Sequence, residues 1–135
     1  MLEAALMKMF VYGTLLSGEA NHDVVAPYLI SVETGAVRGK LYDAGEYPAL
    51  VLHPEGSRIV GEWLTIDPAA LPTIDAFEDY HGPNRPNEYE RVWVRDESRD
   101  ALEGWIYVYS DSHGLKEILG GSWRGYRSGN KTKKA

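Results

Sequence analysis

Short runs of β-branched and aromatic residues, each ended by a turn, dominate the middle of the chain and limit the folds open to it. Such runs are typical of strands, and the glycines and prolines between them are typical of tight turns. The predicted strands cover residues 8–12, 36–42, 49–52, 59–66, 89–95 and 102–109. Within the last of these, alternation places Trp105, Tyr107 and Tyr109 on one face of the sheet and Ile106 and Val108 on the other.

Helical signals are fewer and short. Asp67 followed by Pro68 is typical of a helix start, because aspartate caps the first amides and proline fits the first turn. This helix is predicted to run to Tyr80, with Pro72 kinking it or separating its first turn from the rest. Two shorter helices are predicted, over residues 23–30 and 115–119.

Six or so strands with two or three short helices predict an α+β domain whose sheet is strongly curved or forms a partial barrel. With 135 residues, 44% of them hydrophobic, the chain is long enough to bury a core, and it contains no internal repeat or linker. We predict a single domain over residues 1–135, with its core over about 8–126 and a disordered tail over 129–135.

Composition disfavours several classes of function. The chain has no cysteine and its four histidines are dispersed, so no metal site is predicted. The net charge of −6 gives no electrostatic reason to expect nucleic acid. No apolar run approaches the roughly 18 residues that span a membrane, so we expect no membrane partner and a cytoplasmic location. The oligomeric state is left open.

One carboxylate falls on the apolar face of the predicted 67–80 helix. At about 100° per residue, that face is formed by Ala70, Leu71, Ile74 and Phe77. Glu78 lies four residues after Ile74 and projects with it, whereas Asp75 and Asp79 project toward the opposite flank. A carboxylate turned toward a core must be paired, hydrogen-bonded or protonated, and burial is one way in which a general acid or base acquires a raised pKa.

Other interpretations of Glu78 need no catalysis. It could accept a hydrogen bond from a backbone amide or pair with an arginine such as Arg91 or Arg124. Asp75, Glu78 and Asp79 also have a spacing that could hold Mg²⁺, but their side chains diverge around the helix. No metal is therefore predicted there.

Five short motifs occur along the chain in an order that is seen in one protein family. They are FVYGTL at 10–15, GEYP at 45–48, DAFE at 75–78, EYERV at 88–92 and WIYVY at 105–109. In these motifs the sequence resembles the gamma-glutamylcyclotransferase-like family, which includes gamma-glutamylamine cyclotransferases, AIG2-like proteins and a cyclotransferase of butirosin biosynthesis. The resemblance covers roughly residues 8–109.

This resemblance implies a small mixed β-barrel-like sheet with flanking helices, and it assigns roles to individual residues. Glu78 would be the catalytic acid/base and Tyr89 a tyrosine of the substrate cavity. Tyr47 and either Tyr107 or Tyr109 match the family less closely and would support substrate binding. The substrate-binding loop would consist of Tyr12, Gly13, Thr14 and Leu15.

The loop is expected to bind with its backbone. A substrate with an α-carboxylate needs amide donors that point inward, and Gly13 is expected to let successive amides converge without a Cβ in the way. Thr14 would add a hydroxyl donor.

The resemblance also implies a reaction. The α-amine of a γ-glutamyl group attacks its own γ-carbonyl, which forms 5-oxoproline and releases the attached amine or amino acid. No metal or cofactor takes part, and the expected partner is a small γ-glutamyl compound. The alternative is a non-catalytic module that recognises a glutamyl or amino-acid ligand in the same pocket, because binding and cyclisation would use nearly the same residues.

Overall fold

A mixed seven-stranded sheet, curled into a half-barrel, forms the body of the molecule. The computed structural model of the chain describes residues 6–133. Its strands are β1 Met7–Val11, β2 Leu29–Asp43, β3 Pro48–Leu52, β4 Ser57–Ile66, β5 Glu90–Arg95, β6 Glu103–Val108 and β7 Lys116–Ile118.

The order of the strands across the sheet is β3-β2-β4-β1-β6-β5, and β7 pairs with β2. The pairing of β1 with β6 is parallel and the others are antiparallel. The α+β prediction with a curved sheet is confirmed.

β2 begins earlier than its sequence pattern predicts. Leu29 already pairs with Ile66 of β4, and the pairing continues to Gly39 opposite Ser57. The side chains of residues 30–34 are exposed, so no apolar alternation marks this part of the strand. The predicted helix over 23–30 is therefore wrong: two 3₁₀ turns, His22–Val24 and Ala26–Tyr28, lead directly into β2.

The predicted helix over 115–119 is also wrong. Residues Lys116–Ile118 form β7, in which Ile118 is buried opposite Leu41 of β2. Hydrogen bonding to a strand distant in sequence outweighs local propensity in so short a segment.

The helix near the middle of the chain starts as predicted and ends early. Asp67 Oδ1 accepts a hydrogen bond from the Ala69 amide at 2.9 Å and caps a 3₁₀ turn, Pro68–Ala70. Helix α1 follows over Leu71–Phe77, with Pro72 in its first turn. Proline is tolerated there because the first amides of a helix have no partner within it.

A Schellman motif stops α1 before Tyr80, the predicted end. The Tyr80 amide donates to Asp75 O at 2.9 Å, and the Asp79 amide donates to Ala76 O at 3.2 Å. Asp79 has a φ of 56°, the left-handed conformation that this motif requires. Glu78 is thus the C-cap residue of α1, where the chain leaves the helix.

Helix α2, Trp123–Lys133, lies near the C-terminus. It is anchored by Trp123, which is buried, and by the Tyr126 hydroxyl, which donates to Asp43 Oδ2 at 2.6 Å. The backbone of residues 129–133, predicted as part of a disordered tail, is therefore helical, and residues 134–135 lie outside the described residues. Within residues 6–133, neither helix has the length and apolar character needed to cross a bilayer.

Buried side chains lie on both faces of the sheet, because successive residues of a strand point to opposite faces. In β6, Tyr107 packs into one cluster of core residues, whereas Ile106 and Val108 pack into the other, as predicted. β1 divides in the same way: Met9 lies in the first cluster and Phe10 in the second.

The curl of the sheet brings β3 against the end of β6, although these strands are not neighbours in the order. The Tyr109 amide donates to Leu50 O at 2.9 Å. The Tyr12 hydroxyl lies in the same seam, where it donates to Tyr107 O at 2.7 Å and accepts a bond from the Leu50 amide at 3.3 Å. The first strand therefore ends where the half-barrel closes.

Candidate active site

A pocket of about 270 Å³ opens between the end of β1, the start of β3 and the C-terminal end of α1. It is lined by residues from motifs that are far apart in sequence. All eight residues predicted for the site line this pocket: Tyr12, Gly13, Thr14, Leu15, Tyr47, Glu78, Tyr89 and Tyr107. The fold thus brings the predicted residues together, while their roles stay predictions.

The loop after β1 lines the pocket and has backbone amides without a partner among the described residues. Its carbonyls are engaged in the turn: Gly13 O, Thr14 O and Leu15 O accept from Leu16 N, Asn21 N and His22 Nδ1 at 3.1, 2.9 and 2.8 Å. The amides of Gly13, Thr14 and Leu15 donate to no group in the described part of the chain. Consecutive amides of this kind can hold an anionic oxygen.

The reason for a glycine at position 13 differs from the one expected. Gly13 is not among the residues with positive φ, so a left-handed turn is not what requires it. A Cβ on Gly13 would lie 2.5 Å from Cγ of Pro48, a contact too close for any side chain. Glycine is needed because the GEYP motif packs directly on this loop.

Glu78 is half-buried in the pocket wall. No described residue donates a hydrogen bond to its carboxylate. The purely structural interpretations do not apply, because Arg91 Nη1 pairs with Asp75 Oδ2 at 3.2 Å and Arg124 Nε pairs with Glu19 Oε2 at 3.1 Å. The carboxylate therefore faces the space that a ligand would fill.

Burial and the negative charge of Glu88 raise the pKa of Glu78 to about 8. Hydrogen bonding has the opposite effect on the pKa of a second buried carboxylate, that of Asp96. Burial by itself also raises the pKa of Asp96, but donors from the Ala36 amide, the Trp63 indole and the Ser98 amide, at 2.9–3.1 Å, lower that pKa to about 2. Glu78 lacks such donors, so its carboxyl group holds a proton near neutral pH.

The neighbouring acidic residues of α1 have structural partners. Asp75, predicted on the outward flank of the helix, is instead half-buried: it accepts a 2.5 Å bond from the Tyr107 hydroxyl and pairs with Arg91. These contacts tie α1 to β5 and β6, since Tyr107 and Arg91 lie in those strands. Phe77, predicted on the apolar face, lines the pocket but is 43% exposed.

The hydroxyl groups of three tyrosines that line the pocket form hydrogen bonds that stabilise the fold around it. The Tyr89 hydroxyl donates to Pro48 O at 2.7 Å, and the Tyr12 and Tyr107 hydroxyls have the partners given above. Burial raises the pKa of all three, so their hydroxyls stay neutral and donate. They hold the walls of the pocket at fixed positions.

Glu88 is a pocket residue that the sequence analysis missed. Its Oε2 accepts hydrogen bonds from Tyr47 Oη at 2.6 Å and from Tyr109 Oη at 2.8 Å. Its amide donates to Asp79 O at 3.0 Å, so the residue that follows Glu78 positions Glu88. The sequence feature that could have identified Glu88 is its position immediately before Tyr89 in the EYERV motif. This segment is polar, so no periodic pattern of apolar residues distinguishes Glu88 from the other acidic residues.

The pocket therefore combines backbone amides that can hold an anion with a carboxyl group, that of Glu78, that can exchange a proton near neutral pH. A free amino acid head group, with one carboxylate and one ammonium, matches these two features.

Comparisons with known proteins show which family the sequence matches. The family described as gamma-glutamyl cyclotransferase, AIG2-like, matches residues 9–125. The gamma-L-glutamyl-butirosin B gamma-glutamyl cyclotransferase of Niallia circulans is 35% identical over 122 residues, which are 88% of this chain and 76% of that protein.

Solved structures show the same fold. An AIG2-like protein of Mus musculus superposes with a TM-score of 0.67 at 25% identity, over 87% of each chain. YkqA of Bacillus subtilis superposes with a TM-score of 0.72 at 27% identity, over 94% of this chain and 43% of that longer chain. With residues 9–125 matched by the family and the fold shared with these structures, the chain belongs to the gamma-glutamyl cyclotransferase, AIG2-like family.

Proposed function

We propose that the protein is a cyclotransferase that converts a small γ-glutamyl compound into 5-oxoproline and a released amine or amino acid. The observation that carries this proposal is the position of Glu78, which shares one pocket with three consecutive amides that have no partner among the described residues. Family membership supports the reaction class, and the name of the Niallia circulans relative refers to a γ-glutamyl compound.

The head group of the substrate binds first. The amides of Gly13, Thr14 and Leu15 hold its α-carboxylate, and Glu78 receives its α-ammonium. The tyrosine walls limit the space around the glutamyl chain, so the chain curls and brings its own amine close to its γ-carbonyl. Such positioning converts a flexible substrate into one ready for attack, with reacting atoms about 3–3.5 Å apart.

Ring closure moves two protons from the α-nitrogen to the leaving nitrogen. Ionised Glu78 takes the first proton from the α-ammonium, and the resulting amine forms a bond to the γ-carbon, so that the ring nitrogen of the tetrahedral intermediate carries two protons. Glu78 passes the first proton to the leaving nitrogen and takes the second from the ring nitrogen. The old C–N bond then breaks, Glu78 gives the second proton to the released amine and returns to its ionised form, and 5-oxoproline remains.

The raised pKa of Glu78 suits this role. Its pKa of about 8 lies near the roughly 7.7–8.0 of an α-amino group, so a proton can move in either direction at little cost. A carboxylate with an ordinary pKa would hold the ammonium tightly and accept its proton poorly.

Replacing Glu78 tests the proposal. We expect Glu78→Gln to keep the fold and ligand binding while lowering kcat by about 10²-fold or more, because glutamine cannot carry a proton. The measurement is 5-oxoproline formation from a panel of γ-glutamyl amines and γ-glutamyl amino acids. Glu117→Gln serves as the control, because Glu117 is an exposed residue of β7 that does not line the pocket, and its replacement makes the same chemical change. A Glu78→Gln enzyme with a near-normal kcat would remove Glu78 from the mechanism.

The same panel separates catalysis from binding alone. If calorimetry detects a γ-glutamyl ligand and wild type forms no 5-oxoproline from any compound, the protein is a binding module. We extend the proposal to a cytoplasmic enzyme, because a chain without cysteine suits a reducing compartment.

A further inference from the structure

The described residues that line the pocket include carboxylic acids and no basic side chain. Two of them are carboxylic acids, Glu78 and Glu88, and none is lysine, arginine or histidine. In the proposed function Glu78 is occupied by the head group of the substrate, which leaves Glu88 to face the remainder of the ligand.

Glu88 is held in one position on the pocket rim. Both of its tyrosine partners donate to the same oxygen, Oε2, and Oε1 accepts no bond from the described residues. Its amide donates both to Asp79 O and to Asp79 Oδ2, at 3.0 and 3.2 Å. A carboxylate fixed in this way loses little freedom when it binds a ligand.

A second depression of about 370 Å³ adjoins the pocket at this point and shares Tyr47 and Glu88 with it. Tyr109 lines the depression, and so does His113, whose Nδ1 lies 3.2 Å from Asp111 Oδ1. A leaving group that extends from the pocket into the depression therefore passes Glu88. The negative charge of this carboxylate attracts an ammonium group and repels a second carboxylate.

We propose that Glu88 selects γ-glutamyl compounds whose leaving group carries a second, positively charged amine. This inference rests on the proposed function and specifies its substrate class: conjugates of diamines or larger polyamines, in preference to γ-glutamyl amino acids with a free carboxylate. Glu88 binds the distal ammonium through Oε1 and takes no part in proton transfer.

Three matched conjugates test the selection. They join a γ-glutamyl group to 1,5-diaminopentane, to n-hexylamine or to 5-aminopentanoic acid, so chain length stays similar while the distal group is cationic, neutral or anionic. For wild type at low salt we expect kcat/KM on the cationic conjugate to exceed that on the neutral one by about fivefold to tenfold, with the anionic one lowest. The difference is expected to shrink as ionic strength rises.

Charge removal at Glu88 provides the decisive comparison. Glu88→Gln keeps an acceptor for the tyrosine hydroxyls, and we expect it to bring the cationic-to-neutral ratio to about 1. The variant also removes a charge that acts on Glu78, but that change alters all three conjugates alike and cancels in the ratio. Glu46→Gln, an exposed carboxylate outside both cavities, is the control and should leave the ratio unchanged.

The outcomes separate this inference from the proposed function. If wild type turns over all three conjugates with equal kcat/KM, or if Glu88→Gln preserves the ratio, the charge selection is overturned and the cyclotransferase stands. If no conjugate yields 5-oxoproline, the proposed function fails. If Glu88→Gln does not fold, Tyr47→Phe, which removes one of the two hydroxyls that hold Glu88, is expected to lower the ratio partway.

Discussion

Glu78 is a carboxylic acid in a site that opposes its ionisation, and this has a cost for stability. Its pKa of about 8 in the folded chain compares with about 4.3 in an unfolded one. Between these values the folded protein keeps a proton that the unfolded chain has released. The free energy of unfolding therefore falls as pH rises from roughly 4 to 8, because the unfolded state binds fewer protons.

Glu78→Gln removes this penalty, since glutamine does not titrate. We expect the variant to be more stable than wild type by about 1–3 kcal/mol at pH 8, with the difference nearly lost by about pH 4. Urea unfolding of both proteins at several pH values measures it. Parallel stability profiles would show that the pKa of Glu78 in the folded protein is ordinary.

Gly13 acts through its missing side chain. Because a Cβ would contact the Pro48 ring, we expect Gly13→Ala to shift the amide-presenting loop and raise KM by about tenfold, with a smaller change in kcat. Pro48→Ala makes room for that Cβ, so the double variant should recover much of the affinity. Additive effects of the two substitutions would contradict the proposed contact.

Helix α2 contacts the same loop from its other side. Arg124 donates from Nη2 to Ser17 O and pairs with Glu19 Oε2, while Glu62 of β4 accepts from the Ser17 amide at 2.8 Å. These contacts position the segment that follows Leu15, so the C-terminal helix and β4 together hold the loop after β1 in place. The sheet supplies the pocket walls, and α2 contacts the loop that continues from them.

We expect Arg124→Ala to raise KM for γ-glutamyl substrates by about threefold to tenfold and to leave kcat nearly unchanged, because partly exposed ion pairs contribute modestly. Arg127→Ala is the matched control on the same helix, since Arg127 stacks on Trp123 and, among the described residues, makes no hydrogen bond or ion pair with the loop after β1. Steady-state kinetics on the best substrate distinguish the two. An Arg127→Ala effect as large as that of Arg124→Ala would point to general loss of the helix.

The half-barrel as a whole closes through side chains as well as strand pairing. The Tyr12 hydroxyl bridges Leu50 of β3 and Tyr107 of β6, and the Tyr89 hydroxyl binds the first residue of β3. The pocket lies beside this seam, so the walls that shape the site are also the groups that close the fold.

We expect Tyr12→Phe to lower the free energy of unfolding by about 1–3 kcal/mol, because it leaves two buried backbone groups without their partner. Tyr42→Phe is the control: this half-buried tyrosine makes no hydroxyl hydrogen bond within the described residues. Chemical denaturation gives both values. Equal stabilities of the two variants would show that the bridge contributes nothing.

Runs of β-branched and aromatic residues between turn residues predicted most strands, because a strand with buried side chains on both faces needs apolar residues at successive positions. The cap at Asp67 and the start of α1 were predicted for a similar reason, since a helix start is satisfied by its own neighbours. The motifs around Gly13 and Glu78 were recognisable because each is short and local. These are features whose physical cause lies within a few residues of chain.

Other features depend on groups that meet only in the folded chain. β7 and the first part of β2 form because a strand distant in sequence supplies their hydrogen-bond partners. The local pattern of apolar and polar residues does not indicate such a pairing. The contact of Gly13 with Pro48, the lack of a donor to Glu78 among the described residues and the two tyrosines around Glu88 also arise from the curl of the sheet. Burial, dielectric and charge act through space, so the pKa of Glu78 and the charge of its pocket follow from the three-dimensional arrangement and not from the order of residues.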